Sequence, residues 1–142
     1  MIISPYLWAI VAAWLASHVV KYAIATYKGQ KLDFTHQLFI SGGMPSSHAA
    51  TSVAVWTVIL LRDGAGSGLF GLATLVVLVV TYDAVKVRRS SGEQGEAIAE
   101  LIRAGKSDIR IPRAAKGHTP IEIAVGAVFG GLIGLVVFLA TS

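Results

Sequence analysis

Gly42-Gly43-Met44-Pro45-Ser46-Ser47-His48 stands directly before the apolar run from Ala49 to Leu61. The two glycines carry no Cβ, so the backbone can approach a ligand closely. Pro45 suits the first turn of a helix, where its missing N–H costs nothing. Ser46 and Ser47 leave hydroxyls and backbone N–H groups at the positive end of the helix dipole, the layout of an anion site. His48 follows within a turn and can move a proton. The plainer reading is a polar loop that caps a membrane helix, with His48 at the interface. Both readings start a helix here.

Composition agrees with a membrane setting. Of the 142 residues, 54% are hydrophobic and only 14% charged, too apolar a balance for an ordinary soluble domain. The length fits one domain, 1–142. There is no cysteine, which excludes disulfides, thiolate metal sites and cysteine nucleophiles. The first apolar segment has neither a basic n-region nor a small-residue cleavage site, and it reads as a retained helix.

Four spans are expected, at about 5–27, 45–61, 69–85 and 120–140. The first carries Trp8 and Trp14 and is interrupted by Ser17, His18 and Lys21. Ionisable groups inside a span usually face a protein interior, although Lys21 could instead snorkel to the interface. The second is short against the roughly 20 residues of a full crossing, which suggests a site sunk below the membrane surface. In the fourth, Gly126, Gly130 and Gly134 repeat G-x-x-x-G, a pattern that lets helices approach closely in lipid. This face could pack internally or against a second copy of the chain. Between the third and fourth spans, Gly92 to Gly105 has the apolar pattern of an amphipathic helix lying on the membrane or across the site. The fold class is therefore an all-α, integral membrane helical bundle of about four transmembrane helices plus a short amphipathic helix.

Four spans leave both termini on one side and the segments 28–44 and 83–119 on the other. Every lysine and arginine except Arg62 falls on that second side. The positive-inside rule places it in the cytoplasm and both termini outside. The same bias explains the net charge of +4 without nucleic acid, since no base-stacking aromatics are interleaved with the cations.

Two polar stretches begin two spans on that same side. One is Gly43 to His48. The other is Lys116-Gly117-His118-Thr119-Pro120-Ile121-Glu122. A carboxylate four residues after His118 can bond one imidazole nitrogen and raise the basicity of the other, which is how a histidine nucleophile or base is prepared. Alternatively Thr119, Pro120 and Glu122 simply form a capping box. A third cluster, Tyr82-Asp83 to Arg88-Arg89, suggests an ion pair that orients an arginine, whose planar fork suits phosphate. Lys21 and Lys28 end the first span.

These pieces resemble the type-2 phosphatidic acid phosphatase superfamily, in its small, divergent bacterial branch. The superfamily carries K-x6-R-P, P-S-G-H and S-R-x5-H-x3-D. Pro45-Ser46-Ser47-His48 matches the second with serine for glycine, and His118 with Glu122 resembles H-x3-D with glutamate for aspartate. Lys21 and Lys28 resemble the first, with lysine for arginine and Gly29 in place of proline. The third motif departs from the pattern: Pro112 stands where its arginine belongs, with Arg113 one residue off. Arg88 and Arg89 are favoured over Arg113 to supply the guanidinium.

The resemblance implies a membrane lipid phosphate phosphatase, metal-independent and without a cofactor, at a bacterial inner membrane. His118 would attack phosphorus, Glu122 orient it, and His48 protonate the leaving alkoxide. Lys21, Lys28, Gly43, Ser46, Ser47, Arg88 and Arg89 would hold the phosphoryl oxygens. The substrate would be a phospholipid or polyprenyl phosphomonoester or pyrophosphate. Two other classes stand beside it. His48, His118 and Glu122 could ligate a metal in a membrane hydrolase, although the surrounding cations would repel a divalent ion. The basic face could also bind anionic lipid headgroups without catalysis.

Overall fold

The computed structural model describes residues 4–29, 43–105, 109–111 and 117–142. Gly42, Lys31, Lys106, Pro112, Arg113 and Lys116 lie outside the described residues. Among the described residues there are helices and no strands. They are α1 (Pro5–Tyr27), α2 (Ser47–Asp63), α3 (Gly68–Tyr82), a π-helical turn (Asp83–Val87), α4 (Arg88–Ala104) and α5 (Pro120–Thr141). The chain is an all-helical membrane bundle.

Each helix start has a local cause. Pro5 opens α1 with its fixed φ. The Ser46 hydroxyl caps α2 by accepting from the Ala49 N–H, and Ser67 caps α3 by accepting from the Phe70 N–H at 3.1 Å. Gly64, at φ +80°, ends α2 and turns the chain into α3.

Three helical stretches are long and apolar enough to cross a membrane: Pro5–Tyr27, the continuous Gly68–Ala104, and Pro120–Thr141. The 17-residue α2 is the helix that α1, α3 and α5 all pack against. Shielded by its neighbours, it can carry Thr51, Ser52 and Thr57 without presenting them all to lipid.

The bundle is small-residued inside and large-residued outside. Ala9, Ala13, Ser17, Lys21 and Ala25 form the buried stripe of α1 at four-residue spacing. Gly126, Gly130 and Gly134 form that of α5. Leu75, Leu78, Val128, Leu132 and Val136 are exposed, an outer surface suited to acyl chains. The glycine face of α5 is used within the chain. A Cβ on Gly126 would stand 2.6 Å from the Ser46 carbonyl oxygen, and one on Gly130 would strike that of Ala50. The G-x-x-x-G repeat thus lays α5 on the start and middle of α2.

Polar ties fix the helix ends. Tyr6 donates to Asp63 at 2.7 Å, and Arg62 donates to the Thr141 carbonyl at 2.9 Å. The start of α1 therefore meets the ends of α2 and α5. The opposite end of the bundle gathers the C-terminal half of α1, the start of α2, the π-turn and the start of α5.

The amphipathic helix expected at 92–105 is present, with an earlier start. The helix begins at Arg88 and continues α3 through the π-turn, giving one stretch from Gly68 to Ala104. The change from apolar to polar sequence after Tyr82 is a change of surroundings. No proline or glycine stands between Tyr82 and Ser91 to stop the helix, and Gly92 is absorbed as a buried small residue.

Candidate active site

The second polar stretch is built around His118. Its side chain is buried, and its Nδ1 lies 3.2 Å from Glu122 Oε2. The same carboxylate oxygen accepts the Thr119 N–H at 3.0 Å, while the Glu122 N–H donates to Thr119 Oγ1 at 3.3 Å. The capping box and the oriented histidine are not alternatives: one oxygen serves both. A carboxylate beside Nδ1 holds the hydrogen there and leaves Nε2 with its lone pair.

The His118 backbone is anchored by an irregularity in the neighbouring helix. In a regular helix the Arg88 N–H would bond the Ala84 carbonyl; here it reaches back to Asp83. The Ala84 carbonyl is taken instead by the His118 N–H at 3.1 Å. Gly117 permits this approach, because a Cβ there would stand 2.6 Å from the Arg89 nitrogen. A π-turn leaves one carbonyl without a helical partner, and this one is spent on placing His118. Nothing in the sequence marks it, since the turn is set by what docks on it.

The first stretch starts α2 beside it. The Ser46 N–H donates to the Glu122 carbonyl at 3.2 Å, stitching the two helix starts together. Ser46 is fully buried and holds structure, whereas Ser47 lines a cavity. Among the described residues the Ser47 and His48 N–H groups have no partner. The His48 and His118 ring centroids are 6.4 Å apart. That gap admits one atom within bonding reach of both rings.

Two cations complete the arrangement. Lys21 is buried and donates to Ser47 Oγ at 3.3 Å, so it turns into the bundle instead of snorkelling. Arg88 Nε donates to Asp83 Oδ2 at 2.9 Å, and Arg88 lines the cavity. Burial pushes the His118 imidazole below its ordinary pKa. The Glu122 hydrogen bond pulls the other way, and the Lys21 and Arg88 charges add to the lowering.

The cavity has a volume of about 730 Å³. Lys21, Ser47, His48, Arg88 and His118 close its polar end, and it runs between α1 and α3 along α2 toward Ile10 and Ile59. The other expected phosphate ligands are not among its walls. Lys28 is exposed at the end of α1. Gly43 is exposed at φ +82°. Arg89 pairs with Glu93 at 3.1 Å on the outside of α4. Among the described residues no three His, Asp or Glu side chains are arranged to hold a metal ion.

The model of the family described as "Divergent PAP2 family" matches residues 3–133 of the chain. A protein of Bacillus subtilis (strain 168), described as "Uncharacterized membrane protein YuiD", is 34% identical over 143 residues, covering 90% of this chain and 87% of its own. No solved structure matches the chain. The relative and the apolar helices together mark an integral membrane protein.

Proposed function

The chain belongs to the divergent PAP2 family, and from that premise we propose that it is a metal-independent lipid phosphate phosphatase working through a phosphohistidine. The observation that carries the reading is the pairing of a buried, carboxylate-oriented His118 with His48 across a 6.4 Å gap. The phosphate oxygens rest on Lys21, Arg88, the Ser47 hydroxyl and the open N–H groups at the start of α2. His118 Nε2 attacks phosphorus. The phosphorus–oxygen ester bond breaks, and protonated His48 gives its proton to the departing alkoxide. Neutral His48 then takes a proton from water as that water attacks phosphorus. The phosphorus–nitrogen bond breaks, and inorganic phosphate leaves with His118 restored. Charge on the equatorial oxygens grows toward the two cations, where it is best stabilised.

The substrate is a lipid, because the cavity leaves the polar end along apolar walls. The positive-inside bias supports a site that faces the cytoplasm. The test is phosphate release from a panel of lipid phosphates by the wild type, His118→Ala and His48→Ala. His118→Ala is expected to abolish release and His48→Ala to slow it about 100-fold or more. Full activity in both variants would sink the mechanism. Lipid binding that survives His118→Ala, with no phosphate released by any form, would instead mark a lipid-binding protein.

A further inference from the structure

Resting on the site proposed above, we propose that His18 selects substrate: it favours lipid phosphates with a free hydroxyl on the carbon next to the phosphorylated one. From Ser47 to Ile59 the cavity follows α2 for about 18 Å, past walls such as Leu72 and Val76. His18 breaks this apolar lining. It lies three residues before Lys21 on α1, about 4.5 Å deeper along the helix axis than the phosphate-holding end.

The ring is fixed. His18 Nδ1 lies 2.8 Å from the Trp14 carbonyl oxygen. A carbonyl only accepts, so Nδ1 carries the hydrogen and donates. The Trp14 indole holds the ring at a centroid distance of 4.5 Å and a tilt of 46°. With the hydrogen on Nδ1, Nε2 is the acceptor of the ring; His18 lines the cavity, and Nε2 has no hydrogen bond among the described residues. On the facing helix Thr51 lines the cavity one turn beyond Ser47, and its hydroxyl is also without a partner among the described residues. The chemistry described for phosphate cleavage uses neither residue.

With phosphate at Lys21 and Ser47, the next substrate atoms inward lie at this level. An isoprenyl or alkyl chain would set hydrocarbon against an imidazole lone pair and leave it unpaired. A glyceryl hydroxyl beside the phosphate would donate to it. Sites built to bond a hydroxyl discriminate strongly against the analogue that lacks one.

The experiment compares oleoyl lysophosphatidate with its 2-deoxy analogue, which differ by that hydroxyl alone. Phosphate release by the detergent-purified full chain is measured for the wild type, His18→Phe and His18→Gln. Binding of both lipids to His118→Ala is measured by competition with a fluorescent lysophosphatidate. The wild type is expected to prefer the hydroxylated lipid at least about tenfold in kcat/KM, mostly through KM. His18→Phe brings the ratio to within about twofold, and His18→Gln, whose amide oxygen accepts, restores part of it. His118→Ala shows the same preference in binding. Equal handling of the two lipids by the wild type, or a preference that His18→Phe leaves intact, overturns the inference while phosphate release still supports the phosphatase. Preferential binding with no phosphate released from either lipid does the opposite.

Discussion

At the scale of the residue, Glu122 does two jobs with one oxygen. Its Oε2 accepts the Thr119 N–H and faces His118 Nδ1, so helix start and histidine tautomer are set together. Glu122→Gln separates the jobs. The amide still completes the capping box, but the neutral group no longer supports positive charge on the ring. Turnover is expected to fall about 10- to 100-fold, with little change in helix content by circular dichroism. The pH response has a definite sign. Folded His118 holds its proton less tightly than an ordinary imidazole, so on acidification the unfolded chain protonates first. The site is at full strength above about pH 6.5 and weakens below it, and protonated His118 also lacks a lone pair for attack. Glu122 opposes the lowering, so Glu122→Gln moves the acid limb of kcat/KM to lower pH. A limb that moves upward would contradict this assignment of charge. Neighbouring cations show why sequence alone stops short here. Arg88 and Arg89 are adjacent, hence about 100° apart around a helix, and only the register of that helix decides which one lines the cavity.

At the scale of the element, that register is set by the π-turn. Asp83 and Arg88 are five apart and still paired, because the wider turn brings i and i+5 onto one face. Deleting Val87, which is exposed, should convert the turn to regular α-helix. The pair then stands at i, i+4 and survives. The Ala84 carbonyl, however, returns to the helix ladder, and the His118 N–H is left without its acceptor. Activity is expected to fall at least about 100-fold, while the protein elutes as before on size exclusion and keeps its helix content. An active deletion variant would show that the irregular turn does not place His118. The helices with strong local signals were legible in the sequence. Pro5, Thr119-Pro120 and the G-x-x-x-G repeat mark α1 and α5; the start of α2 was legible to within two residues, since Pro45, expected in the first turn, stands just before the N-cap Ser46. The π-turn and the continuation into α4 were not legible, because a polar helix leaving an apolar layer and a polar loop have similar composition. Lys21 was legible as an intramembrane cation, but its direction was not, since snorkelling and inward pairing use the same side chain.

At the scale of the whole molecule, polarity is sorted by end and size is sorted by depth. Small residues lie between the helices and large apolar ones outside. Lys21, Ser47, Arg88 and His118 meet at one end of the bundle, while Tyr6, Asp63, Arg62 and Thr141 tie the other. The arrangement fixes which described helix ends lie together, and the positive-inside rule predicts that the end holding the site faces the cytoplasm. Arg62 is held by the Thr141 carbonyl, at the end opposite Lys21, Lys28 and Arg88. The positive-inside rule follows the side richer in lysine and arginine, so a single arginine at the other end does not reverse the expected orientation. The chain has no cysteine, so single cysteines can report sidedness without background. Gly66→Cys, in the exposed turn between α2 and α3, and Lys28→Cys, at the exposed end of α1, sit at opposite ends of the bundle. In intact bacterial cells whose outer barrier passes the reagent, a membrane-impermeant maleimide is expected to label Gly66→Cys at least about tenfold faster than Lys28→Cys. Permeabilisation should bring the two rates together. If Lys28→Cys is the faster in intact cells, the site opens outward, and lipid phosphates of the outer leaflet become its substrates.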